Sequence, residues 1–399
     1  MNKYKLGQLM KIKHGFAFKS SQYVKKSNYV LVTLANISED NDFKYNLGKM
    51  TFYGGDFPRE YVLNEGDLIM PLTEQVIGLI GNSAFVPDTK DYMFVLNQRV
   101  GKVLPNDTLV DKFYLHYLLA TSLVKEQLEH RASGTKQRNI SPEDVYDVTV
   151  FIPELKIQRK IGQTLYDIEQ KINRNNQINN NLEELMKTLY QRWFIEFNFP
   201  NKEGKPYKAS GGRMVYSEEL KQEIPEGWKV KRTKEILDVI TGKEDANFSI
   251  HNGEYPFFTC SNDILRCNEA KFEGKAVLIA GNGDFNVKYY DGAFNAYQRT
   301  YVLMPNNEIF VGILYRRALD KIGVFKKGSN GSIVKFITKG DIENISILVP
   351  KNDKLLLGLN LLLDKVQKYN EENEKLASLR NFLLPMLMNG QINVDDIKI

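Results

Sequence analysis

The chain has 399 residues, 42% hydrophobic and 26% charged, which is the mixture of a folded globular protein with room for two cores of ordinary size. The formal net charge of +5 permits nucleic-acid binding without requiring it, so any basic face must be a local concentration of lysine and arginine. Two cysteines are too few for a disulfide framework or a paired zinc motif, and the N-terminus lacks an apolar signal region. No apolar run is long enough to span a membrane, and we expect a cytoplasmic protein.

Residues 1–153 are predicted to form a first mixed domain. The runs 29–34 and 66–70 are apolar and bounded by turn residues, which is typical of strands. Apolar residues then fall at helical spacing from Phe113 to Leu128. Short strands together with a helix predict the α+β class.

The order of elements repeats in the second half of the chain, over residues 213–350. Strands are predicted at 276–279 and 300–303, and a helix near 310–319. We therefore expect two similar α+β domains in one chain, related as a pseudo-twofold repeat.

Short motifs recur with a shift of about 200 residues, far longer than the period of a solenoid. Each copy is therefore predicted to be a whole domain followed by a helix. The matching pairs are 97–99 with 297–299, 140–145 with 337–342, and 150–153 with 347–350. A duplicated domain suits a partner with two similar half-sites, and DNA is the leading candidate.

Long heptad helices are predicted after each domain, within the segments 154–212 and 351–399. The first helix, at 1.5 Å per residue, would be about 50 Å long. We expect the two helices to bury their seams against each other in antiparallel order, with Asn175, Asn179 and Asn373 fixing the register. The alternative is that these asparagines lie on a frayed or solvated face. The seam positions are Ile161, Leu165, Ile168, Ile172, Leu182, Met186 and Leu189 in the first helix, and Leu355, Leu359, Leu362, Val366, Tyr369, Leu376 and Leu383 in the second.

The sequence contains few motifs that are typical of enzymes. The sequence has no nucleophile elbow, phosphate loop, zinc helix or cofactor-binding fingerprint, so we expect no catalytic, cofactor or metal site. The alternative is a metal-dependent nuclease, because Asp263, Glu273 and Lys275 have the loose spacing of a Mg²⁺ site. A further alternative is a duplicated module on a coiled coil that binds something other than DNA.

Two flexible, polar and cationic loops occupy equivalent places before the motifs at 140 and 337. Glycines in such loops let backbone amides approach phosphates, lysine neutralises them, and glutamine, asparagine or arginine can bond to base edges. The alternative is a plain surface loop. The candidate DNA contacts here are Ser133, Thr135, Lys136, Gln137, Arg138, Lys326, Lys327, Ser329, Asn330 and Ser332.

The repeated tripeptides add Arg99 and Arg299 as candidate DNA contacts. The alternative for them is structural, a buried arginine or glutamine that ties strands together. Lys13 and Lys19, near Phe16, form a basic segment with interleaved aromatics that could contact phosphates, with a solvated face as the alternative.

The chain resembles the specificity subunit of type I restriction-modification systems over almost its whole length. The resemblance is carried by four motifs whose combination is far more specific than any one of them. They are Leu189-Tyr190-Gln191-Arg192-Trp193-Phe194, Gly211-Gly212-Arg213-Met214-Val215, Ile224-Pro225-Glu226-Gly227-Trp228, and the stretch 383–392 after the second heptad helix.

This resemblance implies two target recognition domains that each read one half of a split double-stranded DNA sequence. It implies that the two conserved helices form an antiparallel spacer. The subunit would be non-catalytic and would dock two methyltransferase subunits, which supply S-adenosylmethionine and the adenine chemistry, with a motor-nuclease subunit as a further partner. The segment 225–228 has no counterpart before Tyr4, so the entry to the first domain is expected to differ.

Overall fold

The computed structural model describes residues 1–45, 48, 50–74, 78–134, 137–327, 336–394 and 397, with 325–327 described by their backbone alone. The chain forms two compact units. The first unit contains residues 1–171 and 375–399, and the second contains 172–374. Both long helices are shared between the units, so the predicted domain limits at 153, 212 and 350 stay a prediction.

The first unit is built from short strands, short helices, the start of one long helix and the end of another. Its strands are β1 (Asn2–Lys5), β2 (Met10–His14), β3 (Tyr23–Val24), β4 (Tyr29–Val32), β5 (Thr51–Tyr53), β6 (Leu68–Pro71), β7 (Thr73–Glu74), β8 (Ala84–Phe85), β9 (Met93–Leu96), β10 (Val100–Pro105), β11 (Arg138–Asn139) and β12 (Thr149–Ile152). Its helices are α1 (Leu6–Leu9), α2 (Lys112–Leu119), α3 (Ser122–Arg131), α4 (Pro142–Tyr146) and the start of α5 (Leu155–Tyr190).

Two four-stranded sheets form the body of this unit, in the orders β2-β10-β6-β8 and β3-β5-β4-β9. Successive residues of a strand point to opposite faces, and in β4 Val30 and Val32 enter one apolar cluster while Leu31 enters another. Both faces of β4 are therefore covered, which explains its unbroken apolar run. β1 and β12 pair separately, in antiparallel register.

The single helix predicted from Phe113 to Leu128 is wrong, because the chain forms α2 and α3 instead. Thr121 has an extended backbone (φ −65°, ψ 147°), and its hydroxyl donates to the Leu118 carbonyl at 2.7 Å. The apolar spacing is compatible with one helix. The Thr121 hydroxyl, however, bonds to the backbone carbonyl three residues before it, and a second helix begins after Thr121.

A buried polar cluster joins α2 to both long helices within the first unit. The Glu169 carboxylate, whose side chain is 9% exposed, accepts a hydrogen bond from the Tyr117 hydroxyl at 2.6 Å. It also lies 3.8 Å from His116 Nε2 and 3.9 Å from Arg380. Burial raises the pKa of Glu169, but the adjacent His116, Tyr117 and Arg380 outweigh burial and hold it below its usual value.

We expect acid to unfold the first unit partly through Glu169. Because the folded-state pKa is lowered, the carboxylate adds stability above the unfolded-state pKa of about 4.3, and this stability is lost as the pH falls through the folded value. The midpoint temperature of thermal unfolding can be measured by calorimetry between pH 3 and 7. Below about pH 4.3, this temperature should fall less steeply with decreasing pH in Glu169→Gln than in the unchanged protein. Asp147→Asn, which removes an exposed ion pair with Lys5, is the control and should change the neutral-pH midpoint little. Equal acid slopes in Glu169→Gln and the unchanged protein would contradict this role.

The second unit has a larger sheet. After a π-helical turn at Gln191–Ile195, its strands are β13 (Met214–Ser217), β14 (Gln222–Pro225), β15 (Lys229–Arg232), β16 (Ile240–Thr241), β17 (Tyr255–Phe258), β18 (Ile264–Cys267), β19 (Phe272–Ala280), β20 (Val287–Ala296), β21 (Thr300–Leu303) and β22 (Ser346–Val349). Its helices are the end of α5, α6 (Val311–Lys327), α7 (Lys339–Glu343) and most of α8 (Lys354–Met388). Six strands form one sheet in the order β16-β21-β19-β20-β17-β18.

The central strand β19 is buried on both faces. Ala276 and Leu278 enter one apolar cluster, whereas Val277 and Ile279 enter a second cluster that also contains Leu314 of α6. β15 and β22 pair apart from this sheet in antiparallel register, as β1 and β12 do in the first unit.

The repeated motifs adopt the same local structure in both units. α4 and α7 each begin with a capping box, in which Ser141 bonds with Asp144 and Thr338 with Asp341. Such a box satisfies backbone amides at the helix start that would otherwise lack partners. The predicted pair of similar α+β units is confirmed. Within the described part of the chain, no helix has the length and apolar character needed to cross a membrane.

The helix seam within the second unit contains paired asparagines. Asn175, which is 0% exposed, donates from Nδ2 to Asn373 Oδ1 at 2.9 Å and to Glu372 Oε2 at 2.8 Å. Asn179, which is 7% exposed, donates to Asn370 Oδ1 at 2.7 Å, and this order along α5 and α8 is antiparallel. The alternative of a frayed or solvated face is therefore wrong. That these pairs fix the register stays a prediction.

Candidate nucleic-acid interface

An exposed glutamine–arginine turn joins β9 to β10 in the first unit. The Asn97 amide donates to the Val32 carbonyl, and the Gln98 amide donates to the Phe16 carbonyl at 3.0 Å. The side chains of Gln98 and Arg99 point outward and are exposed. Arg99 has no side-chain hydrogen bond or ion pair with any residue that the structure describes.

The second unit holds an equivalent turn between β20 and β21. The Gln298 amide donates to the Glu244 carbonyl at 2.9 Å, and its side chain donates to Asp245 Oδ1 at 2.5 Å. Arg299 is exposed, and its guanidinium has no partner among residues 137–327 or the other described segments. The alternative of a buried arginine or glutamine tying strands together is wrong in both units, because all four side chains are exposed and the backbone of each turn bonds to the neighbouring segments.

Both turns rest against a glycine that the sequence analysis missed. A Cβ atom on Gly15 would lie 2.1 Å from the Asn97 carbonyl oxygen, and one on Gly242 would lie 1.9 Å from the Ala296 carbonyl oxygen. Only glycine allows this approach of two backbones. The two glycines are equivalent in the structure, because the Gly15 amide donates to the Val100 carbonyl and the Gly242 amide to the Thr300 carbonyl, but their distances along the chain from the turns differ.

Each turn is linked to the end of a predicted binding loop through one intervening residue that is hydrogen-bonded to both. In the first unit, the Leu72 amide donates to the Arg99 carbonyl and the Ile140 amide donates to the Leu72 carbonyl, both at 3.0 Å. In the second unit, the Gly281 amide donates to the Arg299 carbonyl at 2.9 Å, and the Ile337 amide donates to the Gly281 carbonyl at 2.8 Å. The exposed arginine and the end of the loop are therefore neighbours in both units.

The described part of the first loop forms a narrow hairpin. Ser133, which is exposed, and Asn139 exchange two backbone hydrogen bonds at 3.0 and 2.8 Å. Gln137 donates weakly to the Asn139 side chain at 3.3 Å, whereas Arg138 is bonded to the buried Glu74. Gln137 is thus closer to being available for a ligand than Arg138.

Several predicted contacts lie outside the described residues, and their roles stay predictions. These are Thr135, Lys136, Ser329, Asn330 and Ser332. Lys326 and Lys327 belong to the last turn of α6 by their backbone, and their side chains are not described.

The basic segment near Phe16 is only partly free. Lys13 donates to Glu60 Oε2 at 2.9 Å and lies over the Tyr61 ring, so its charge is already compensated. Lys19 is exposed and has no hydrogen bond or ion pair within the described residues. Phe16 pairs with Asn97, so this segment borders the exposed turn of the first unit.

The predicted nuclease triad does not assemble. Lys275 donates to both oxygens of Asp364 on α8, at 2.8 and 2.9 Å. Among the described residues, no three acidic, histidine or cysteine side chains converge as metal ligands would. The carboxylate partner of Lys275 belongs to a helix, and the pairing secures the sheet of the second unit to that helix.

Comparison with known proteins gives consistent matches. Residues 1–184 and 225–356 match the model of the type I restriction modification DNA specificity domain. The type I restriction enzyme EcoDI specificity subunit of Escherichia coli is 37% identical over 176 residues, which are 42% of this chain and 39% of that protein. The MjaIX specificity subunit of Methanocaldococcus jannaschii is 26% identical over 330 residues, 75% of this chain and 73% of that protein.

A solved structure has a similar fold. The S subunit of a type I restriction-modification system from M. genitalium superposes with a TM-score of 0.64 at 17% identity, covering 97% of this chain and 95% of that one. At this identity the likeness concerns the fold alone.

Proposed function

Because the chain belongs to the family of type I restriction-modification DNA specificity domains, we propose that each unit reads one half of a two-part DNA sequence. The chain is a specificity subunit, and such subunits are not themselves catalytic. Its task is to recognise DNA for enzymes that act on it.

The observation that carries the assignment of one half-site to each unit is the repeated, exposed arginine beside the end of a polar loop. Arg99 and Arg299 both follow a glutamine, and neither guanidinium has a partner within the described chain. Arginine can bond to guanine O6 and N7 together, and glutamine can bond to adenine N6 and N7. Two such sites in one chain suit a target with two halves.

The catalytic partners would be methyltransferase subunits. A chain with two similar units can offer two similar docking surfaces, which supports two methyltransferase subunits for each specificity subunit. S-adenosylmethionine would be bound by those partners, and a motor-nuclease subunit would join the same complex in the cytoplasm.

The decisive experiment is methylome sequencing of cells with and without the chain. We expect adenine methylation at one bipartite sequence that disappears when the chain is removed. The purified chain alone should transfer no methyl group from S-adenosylmethionine and should leave DNA uncut with Mg²⁺. Methyl transfer by the chain alone, or cutting with Mg²⁺, would refute the division of labour.

A further inference from the structure

We infer that Glu74 is a positioning residue for DNA reading by the first unit, an inference that rests on the proposed function. Its carboxylate is 1% exposed, and Leu72, two residues before it, donates its amide to the Arg99 carbonyl of the exposed turn. A buried carboxylate is retained only where it is fully bonded, so its bonds indicate what it holds in place.

Glu74 accepts hydrogen bonds from the backbone a few residues after it in the chain. Oε2 accepts hydrogen bonds from three successive backbone amides, those of Gly78 at 3.2 Å, Leu79 at 2.9 Å and Ile80 at 2.9 Å. Three amide donors to one oxygen hold the backbone of Gly78, Leu79 and Ile80 against the end of β7.

The other carboxylate oxygen holds the predicted reading loop. Oε1 accepts from Arg138 Nε at 2.6 Å and also from Arg138 Nη2. β7 and β11 are paired at this point, with Arg138 opposite Glu74 and Asn139 opposite Thr73. One buried carboxyl group therefore bonds to the ends of two surface segments.

This geometry changes the role of Arg138. It was predicted as a direct DNA contact, but its guanidinium is committed to Glu74 and is only 22% exposed. Arg138 acts through Glu74 to hold Gln137 in place at the point where β11 begins.

The second unit has no carboxylate at the place equivalent to Glu74. Leu72 and Gly281 occupy equivalent places, since each donates to an arginine carbonyl and accepts from the amide after the loop. Two residues further on, Glu74 corresponds to Gly283. The half-site read by the second unit is therefore an internal control.

The test compares methylated sequences for the assembled complex carrying Glu74→Gln, Arg138→Met, or both. Each single change should reduce discrimination at the same positions of the first half-site by about tenfold or more, with the second half-site unchanged. The double variant should be no more relaxed than the more relaxed single variant, because the two residues act as one unit.

Glu169→Gln is the matched control, since it also removes a buried carboxylate of the first unit, one that accepts its hydrogen bond from Tyr117 of α2. It should leave both half-sites intact. If Glu74→Gln assembles poorly, Arg138→Lys keeps the charge while losing the two-pronged contact, and it should relax the same positions less strongly.

Two outcomes would overturn the inference. In one, Glu74→Gln lowers methylation equally at all sites with the first half-site unchanged. In the other, Arg138→Met relaxes one base position that Glu74→Gln leaves strict, which would make Arg138 a direct reader. Relaxation of the second half-site by Glu74→Gln would instead refute the proposed assignment of one half-site to each unit.

Discussion

Inserting four residues into each long helix is expected to lengthen the DNA spacer between the half-sites by about one to two base pairs. Four helical residues add about 6 Å, and duplex DNA rises about 3.4 Å per base pair. The insertions belong after Lys171 in α5 and after Glu374 in α8, where each helix passes from one unit to the other. Both half-site sequences should stay unchanged, because no loop is altered.

The paired insertion preserves the seam of the second unit, in which Asn175 faces Asn373 and Asn179 faces Asn370. An insertion in α5 alone is the control. It should reduce assembly or methylation, because α5 is then longer than α8 and the two helices no longer match in length. Four residues also turn the helix by about 40° beyond a full turn, so some affinity should be lost. Methylome sequencing that finds the original spacer with full activity would mean that the helices do not measure distance.

Replacing Arg99 or Arg299 with alanine is expected to relax one half-site each. A two-pronged arginine contact to guanine contributes about 1–3 kcal/mol of discrimination, which is roughly five- to 150-fold. The two variants control for each other, because the residues occupy equivalent turns of the two units. Competition binding by the assembled complex with half-site variants measures the effect.

A phosphate contact would give a different result. Loss of one such contact weakens binding to all sequences and lowers the slope of log affinity against log salt by about 0.9. Relaxation of both half-sites by either single variant would contradict the assignment of one unit to one half-site.

The repeat and the helices could be predicted because their signals are local or periodic. The residues 141–144 and 338–341 specify capping boxes within a single turn, and the seam of α5 follows from heptad spacing. The predicted specificity subunit is confirmed by the family match over both halves of the chain.

The bonds between Glu74 and Arg138 could not be predicted, because the two residues are 64 positions apart in the sequence and only strand pairing brings them together. For the same reason Asn370 was missed as the partner of Asn179. Aligning the two copies matches Asn179 with Asn373, but the contacts of an antiparallel helix pair depend on its register. Local spacing does not reveal such a register.

The paired asparagines of the helix seam affect how the protein responds to ionic strength. The bonds of Asn179 with Asn370 and of Asn175 with Asn373 join neutral amides, and the bond of Asn175 with Glu372 has only one charged partner, so none of them is a pair of opposite charges that salt would screen. Contacts with phosphates weaken steeply as counterions accumulate. A rising salt concentration should therefore release the DNA while the paired asparagines of the helix seam stay bonded. The dissociated protein would then bind DNA again when the salt is diluted, without having to refold.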